Sequence, residues 1–96
     1  MSMSDRHTYV ENMKQELDEL YDQLNDLEAK LTHMAQDGRE RHAADLQRLH
    51  RHARAALAKW QELQASGEEG WHQKASDMDR MRDVLIHAFH DLKARL

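Results

Sequence analysis

Eight histidines stand among these 96 residues: His7, His33, His42, His50, His52, His72, His87 and His90. Imidazole is a common metal ligand and the one side chain whose ordinary titration lies near neutral pH. Spacing sorts them. Asp83, His87 and His90 are separated by four and three residues, so on a helix they share one face, opposite the Leu85 and Phe89 stripe. Two imidazoles and a carboxylate there could hold Zn²⁺, Ni²⁺ or Cu²⁺ with coordination positions left open. The plainer reading is three solvated surface residues, because a durable site needs a closed ligand set and outer partners that orient it. Glu69-x-x-His72 is one half of a di-iron helix motif. Such bundles need two halves and further glutamates, so it carries nothing alone. His50 and His52 are two apart and diverge.

His42 differs because it falls on an apolar stripe. At a crossing of two identical helices it would meet its symmetry mate, and protonation would set like charges together. The blander reading is a packed histidine, or one paired with Asp45 or Glu40. Arg39, Arg41, Arg48, Arg51 and Arg54 surround it in sequence. Arg41, Arg48 and Arg51 project away from the stripe. A basic run suggests nucleic acid, but the whole chain is acidic at −4 and has no aromatic platform. An acidic helix is the more natural partner. There is no glycine-rich phosphate loop, and the serines form no nucleophile constellation. The expectation is a non-enzymatic protein.

The elements that position these residues follow from apolar spacing. Val10, Met13, Leu17, Leu20, Leu24, Leu27, Leu31 and Met34 alternate in steps of three and four, an unbroken heptad seam. Ser4 can cap its start. Beyond Met34 the stripe continues through Gly38, His42, Leu46, Leu49, Ala53, Ala56, Trp60 and Leu63. The steps from Met34 to Leu46 are all four, the mark of a stutter that a continuous helix can absorb. Gly38 could instead end one helix. A single glycine costs a helix only about 1 kcal/mol, so continuity is expected. Residues 66–70 hold the other two glycines, and Ser66 with Glu69 matches a capping box. A last helix then shows Trp71, Ala75, Met78, Met81, Leu85, Ala88, Phe89, Leu92 and Leu96 on one face. Val84 and Ile86 widen that stripe, which suits two neighbours.

The fold class is therefore all-α and coiled-coil-like: a long helix over 5–65, with an optional break at 37–39, a turn at 66–70, and a shorter helix over 71–95 folded back. The alternative is a monomeric up-down-up three-helix bundle. Residues 5–36 carry eight acids against three bases, and residues 37–65 carry six bases against four acids. Two long helices paired antiparallel would lay acidic halves on basic halves. This favours a homodimer whose seam runs from Val10 to Met34 and on through His42, Leu46 and Leu49. The dimer is the helix-exchanged form of the three-helix monomer. Another helical protein could also be the partner.

Tyr9-Val10-Glu11-Asn12-Met13-Lys14-Gln15-Glu16-Leu17-Asp18, then Leu27-Glu28-Ala29-Lys30, then residues 56–63 (Ala-Leu-Ala-Lys-Trp-Gln-Glu-Leu) and the turn Gly67-Glu68-Glu69-Gly70-Trp71 form a recognisable layout. It resembles small bacterial coiled-coil-domain proteins of unknown function that carry a Gly-Glu-x-x-Trp turn between amphipathic helices. The likeness spans most of the chain and implies the helical fold without an activity. The His- and Arg-rich middle departs from it, where Lys, Glu and Ala would be expected.

Composition closes off several classes. Cysteine is absent, so disulfides, thiolate metal sites and thiol nucleophiles are excluded. No apolar run approaches bilayer length, and the polar faces lack the lysines of a membrane-surface helix. The first residues have no apolar core of a secretory signal, which gives a cytoplasmic expectation. Two function classes remain: a helical self-association or interaction module, and a His-rich metal-binding or stress-related protein.

Overall fold

The computed structural model describes residues 3–96, with side chains from residue 5 onward. Three helices account for most of it: α1 (Met3–Thr32), α2 (Gln36–Ala65) and α3 (Trp71–Arg95). Long-range contacts fix the topology. Trp60, near the end of α2, bonds to Val10 near the start of α1, and Glu28 meets His50. These two helices are antiparallel. Asp45 meets Arg95, so α3 runs back along α2, parallel to α1. The result is an up-down-up bundle of 51 × 19 × 18 Å.

The all-α bundle is as expected, but the long helix over 5–65 is not continuous. The chain reverses at residues 33–35, ahead of the expected break at 37–39. At the end of α1 the His33 N–H is shared between the Ala29 and Lys30 carbonyls, and the Met34 N–H bonds to Leu31 O at 3.1 Å. Ala35 then turns the chain with φ −59° and ψ 154°. None of these residues is a helix breaker. The reversal has a tertiary cause: in one chain, the seam of α1 can be fully covered only if α2 folds back over it beside α3. Hydrophobic burial at roughly 25 cal/mol per Å² outweighs the few hydrogen bonds lost at a turn.

That burial is extensive. Met13, Leu17, Leu24, Leu27 and Leu31 of α1 are buried, while Val10 and Leu20 are partly so. From α2 come Leu49, Ala53, Ala56, Trp60 and Leu63; from α3, Trp71, Met78, Leu85, Phe89 and Leu92. The seam assigned to a dimer, from Val10 through Leu31 and then His42, Leu46 and Leu49, is thus occupied by the chain's own helices. Met34 is half-buried beside the turn. Val84 and Leu96, expected on the packed face of α3, are more than two-fifths exposed. Val84 lies at the edge of the stripe, and Leu96 lies past the last helical residue.

The second turn falls at 66–70 as expected, but by other chemistry. Ser66 does not open α3. It closes α2, its N–H on Leu63 O and its hydroxyl donating to Glu62 O at 2.7 Å. The cap of α3 is Gly70, in the left-handed region at φ 72°. Hence no capping box forms with Glu69. The side chain of Ser4 lies outside the described residues, and α1 already includes residue 4.

Gly38 is buried in the first turn of α2, and a Cβ there would meet the tip of Met34, Cε at 2.9 Å. A methionine end moves cheaply, so Gly38→Ala should stabilise the fold by up to about 1 kcal/mol through helix propensity. Gly70→Ala forces an L-residue into left-handed backbone and should cost about 1–2 kcal/mol. Urea melts followed by circular dichroism check both; a destabilised Gly38→Ala would show that Met34 cannot yield. His42 is 6% exposed, and its Nδ1 has no partner among the described residues. His42→Leu removes that orphan and should gain about 1–3 kcal/mol in the same assay.

Candidate binding cleft

The first half of α1, the last turns of α2 and the second turn converge on a cleft of about 700 Å³. Its lining sets four apolar side chains, Val10, Trp60, Leu63 and Trp71, among charged and polar ones that include Arg6, His7, Glu11, Lys14, Gln15 and Gln64. Both tryptophans are held by α1. The Trp60 indole Nε1–H donates to the Val10 carbonyl at 2.8 Å. Trp71 meets the ring of Tyr9 edge-on, with centroids 5.7 Å apart. Heptad logic explains the gathering. Trp60 and Trp71 occupy core positions flanking the second turn, and the seam positions of α1 at the same level are Val10 and Met13, with partly buried Tyr9 beside them.

Two cations sit over these indoles. Arg6 lies 6.0 Å from the Trp71 ring centroid and Lys14 5.7 Å from that of Trp60. Each gains from the ring's negative face, about 0.5–1 kcal/mol at a partly exposed site. Their polar partners differ. Lys14 Nζ is 2.6 Å from Asp18. Among the described residues Arg6 has only a loose ion-pair partner, Glu68, at 3.9 Å from Nη2 and beyond hydrogen-bonding range. Arg6 Nε and Trp71 Nε1 are both buried without a partner among the described residues. His7 and Glu11 pair at 2.9 Å on the rim. The cleft therefore combines apolar side chains with two cations, one of them poorly satisfied.

A polar network behind the cleft fixes the level of α1 against α3. The Tyr9 hydroxyl donates to the Asp79 carboxylate at 2.5 Å and lies 3.0 Å from the Ala75 carbonyl. Arg82 bridges Glu16 at 3.0 Å and Asp83 at 3.3 Å. Burial first, and then the hydrogen bond and charge of Asp79, push the Tyr9 hydroxyl well above the usual tyrosine range, against a smaller opposing pull from Arg82. For Arg82, burial favours losing the proton, but the hydrogen bond and charge of Glu16 outweigh it and hold the guanidinium above its ordinary value.

The residues singled out for metal chemistry are not brought together. Asp83 pairs with Arg82. His87 lies beside Asp91 and Arg95 in a cleft between α2 and α3, and His90 packs edge-on against Phe89. Among the described residues, no group of three or more His, Cys, Asp or Glu side chains could hold a metal ion. The reason lies in their separation along the helix: Asp83 is engaged by its sequence neighbour, while the two imidazoles diverge to different grooves. Arg41, Arg48 and Arg51 do project into solvent, as spacing indicates. No described helix is long and apolar enough to cross a membrane.

The Tyr9 shift carries a sign. The unfolded chain gives up this proton near pH 10, while the native state keeps it, so the unfolded state binds fewer protons above that point. Stability is fully present below pH 10 and falls as pH rises through the raised native value. Thermal melts from pH 8 to 11 should show this decline, and Tyr9→Phe should flatten part of it. Tyr21 is also raised by burial and supplies a smaller share. Identical slopes in wild type and Tyr9→Phe would show that the Tyr9–Asp79 bond does not persist in solution.

A scan against family models and searches of curated proteins and solved structures find no match to the chain.

Proposed function

We propose that this protein is a non-enzymatic helical interaction module that self-associates by exchanging α1 between two copies. The observation that carries this reading is the turn at residues 33–35. It contains His, Met and Ala, all of which a helix accepts, and no residue in it has positive φ. No side chain caps the start of α2. The apolar stripe passes through the turn in phase, from Leu31 and Met34 to Gly38 and His42. Straightening Ala35 into helical backbone would join α1 and α2 into one helix of roughly 95 Å at about 1.5 Å per residue. Two such helices, antiparallel and crossing near Gly38, would reproduce the core contacts of the monomer between chains.

Charge supports an antiparallel second copy. The solvent face of α1 carries Asp18, Glu19, Asp22 and Asp26, and that of α2 carries Arg41, Arg48 and Arg51, all exposed. Parallel alignment would place like charges together, whereas antiparallel alignment sets acid beside base. Ion pairs that cross between helices, among them Glu16–Arg82, Asp45–Arg95 and Glu28–His50, favour one register of the helices, a structural task. The likeness to small bacterial coiled-coil-domain proteins fits this reading and adds no activity to it.

Gln36→Pro tests the proposal. Gln36 is the first residue of α2, where proline is well tolerated, and Ala35 at ψ 154° already has the backbone that a following proline requires. In a continuous helix the same proline costs about 3 kcal/mol per chain. Wild type, refolded from denaturant at high concentration, should show a dimer by light scattering, and Gln36→Pro should stay monomeric with an undiminished melting temperature. A monomer in both, or equal dimer in both, would overturn the exchange.

A further inference from the structure

We infer that the cleft between the start of α1 and the end of α2 binds a small organic carboxylate, with the charge at Arg6 and an apolar body against Val10, Trp60 and Leu63. The inference starts from an imbalance. Arg6 is a nearly buried cation, its side chain 12% exposed, and among the described residues its ion-pair partner, Glu68, stays 3.9 Å away, beyond hydrogen-bonding distance. Its Nε is an orphan donor, and so is the indole Nε1 of Trp71, over whose ring the guanidinium rests. An unsatisfied buried donor costs about 1–3 kcal/mol, and more for a charged group. Two such donors in contacting side chains are unusual in a native fold, where buried polar groups are overwhelmingly paired.

Neither orphan atom is itself open to solvent, so what Arg6 offers a ligand in the cleft is the guanidinium charge and its Nη donors, and a partner for those has a definable chemistry. A guanidinium presents parallel N–H donors that a carboxylate accepts in a bidentate fork. Glu68 does not fill this role: at 3.9 Å it contributes charge without a hydrogen bond, and its own side chain is largely exposed. Lys14 at the other end of the cleft is already taken by Asp18, so Arg6 is the anchor and Lys14 adds only long-range attraction. Glu11 on the rim is held by His7, and its negative charge disfavours a second anionic group on the ligand. The ligand is therefore a monoanion.

Size selects a small molecule. The cleft of about 700 Å³ lies within the range of small-ligand sites, about 300–1,000 Å³, which are mostly apolar with a few polar anchors. Half-buried Val10 and the edges of the largely buried Trp60, Leu63 and Trp71 supply the apolar part of the wall, against which a compact hydrocarbon body fits beside the charge. This reading does not rest on helix exchange, because the same residues of α1 and of the α2 end form the cleft whichever copy supplies α1.

Titration with 2-naphthoate, followed by ¹H–¹⁵N correlation spectra, tests the site. The two indole N–H signals can be told apart with Trp60→Phe. The Trp60 signal reports an indole already bonded to Val10, whereas the Trp71 signal reports the orphan donor. Naphthoate should shift the Trp71 indole and Arg6 Nε–H signals saturably, and neutral naphthalene-2-methanol should bind at least tenfold more weakly. Arg6→Gln should weaken naphthoate about tenfold while leaving the alcohol unchanged, and Lys14→Gln should weaken it less than threefold. The Trp60 indole signal at its native position certifies that each variant keeps the α1–α2 contact. If Arg6→Gln loses that signal, Arg6→Lys, which keeps the charge but not the fork, should still weaken naphthoate severalfold. Equal affinity for naphthoate and the alcohol, indifference to Arg6 substitution, or an unmoved Trp71 signal would overturn the assignment. So would a Glu- and Leu-containing peptide that displaces naphthoate with higher affinity, since the occupant would then be a protein segment.

Discussion

The apolar stripe of α1 is the constraint on which the rest of this fold depends. Met13, Leu17, Leu24, Leu27 and Leu31 run along one face for some five turns and cannot be left in water. The chain has few aromatics and a mean hydropathy of −1.00, so there is no surplus apolar surface from which to build any other core. Two helices must lie on α1, and α2 and α3 are the only candidates in one chain. The reversals at 33–35 and 66–70 are consequences of that demand. The core alanines Ala53 and Ala56 show how it is met: small residues on α2 let the larger side chains of its neighbours come close.

Burial alone does not set the level at which the helices stop sliding. Heptad stripes are nearly periodic, and a shift by one repeat would still bury most of them. Polar contacts break that degeneracy. Tyr9 reaches Asp79, Trp60 reaches the Val10 carbonyl, Arg82 reaches Glu16, and Arg95 reaches Asp45 at 2.8 Å. The exposed ion pairs are worth about 0–1 kcal/mol each and cannot hold the bundle together. The buried ends of Tyr9 and Trp60 are different, because a slipped register would leave their donors unpaired in the core. Small contributions to total stability thus become decisive for register.

What was legible in the sequence follows the same division. The three amphipathic faces were readable because helical period survives any tertiary arrangement. The turn at 66–70 was readable because Gly70 supplies left-handed backbone that nothing else supplies as cheaply. The reversal at 33–35 was not, because His33, Met34 and Ala35 carry no local instruction, and the deciding term is burial summed over distant residues. Gly38, the one residue of this stretch that locally favours a break, lies inside the first turn of α2 with the Met34 side chain beside it. The histidine and aspartate trio was suggested by helical spacing, but spacing does not report which groove each side chain enters. The cleft was only half visible. Two tryptophans flanking a turn were a usable signal, whereas Arg6 and Lys14 belong to it only once α1 is laid against the end of α2.

The two turns also differ in what they permit. Gly70 commits the second reversal, since straightening it would abandon a backbone state chosen for glycine. The first reversal has no such commitment, so any exchange between copies must move α1 and keep α2 with α3. The cleft would then be assembled from two chains, with Arg6, Val10 and Lys14 from one copy and Trp60, Leu63 and Trp71 from the other. Its chemistry would be unchanged, because the same residues meet in the same geometry. A ligand with equal affinity for both forms shifts no equilibrium between them. A ligand held by residues of both α1 and the α2 end would bind only when α1 is docked, and so would oppose the undocking through which such an exchange would pass. Ligand occupancy would therefore slow interconversion without choosing the product, making the rate rather than the extent of self-association the quantity it controls.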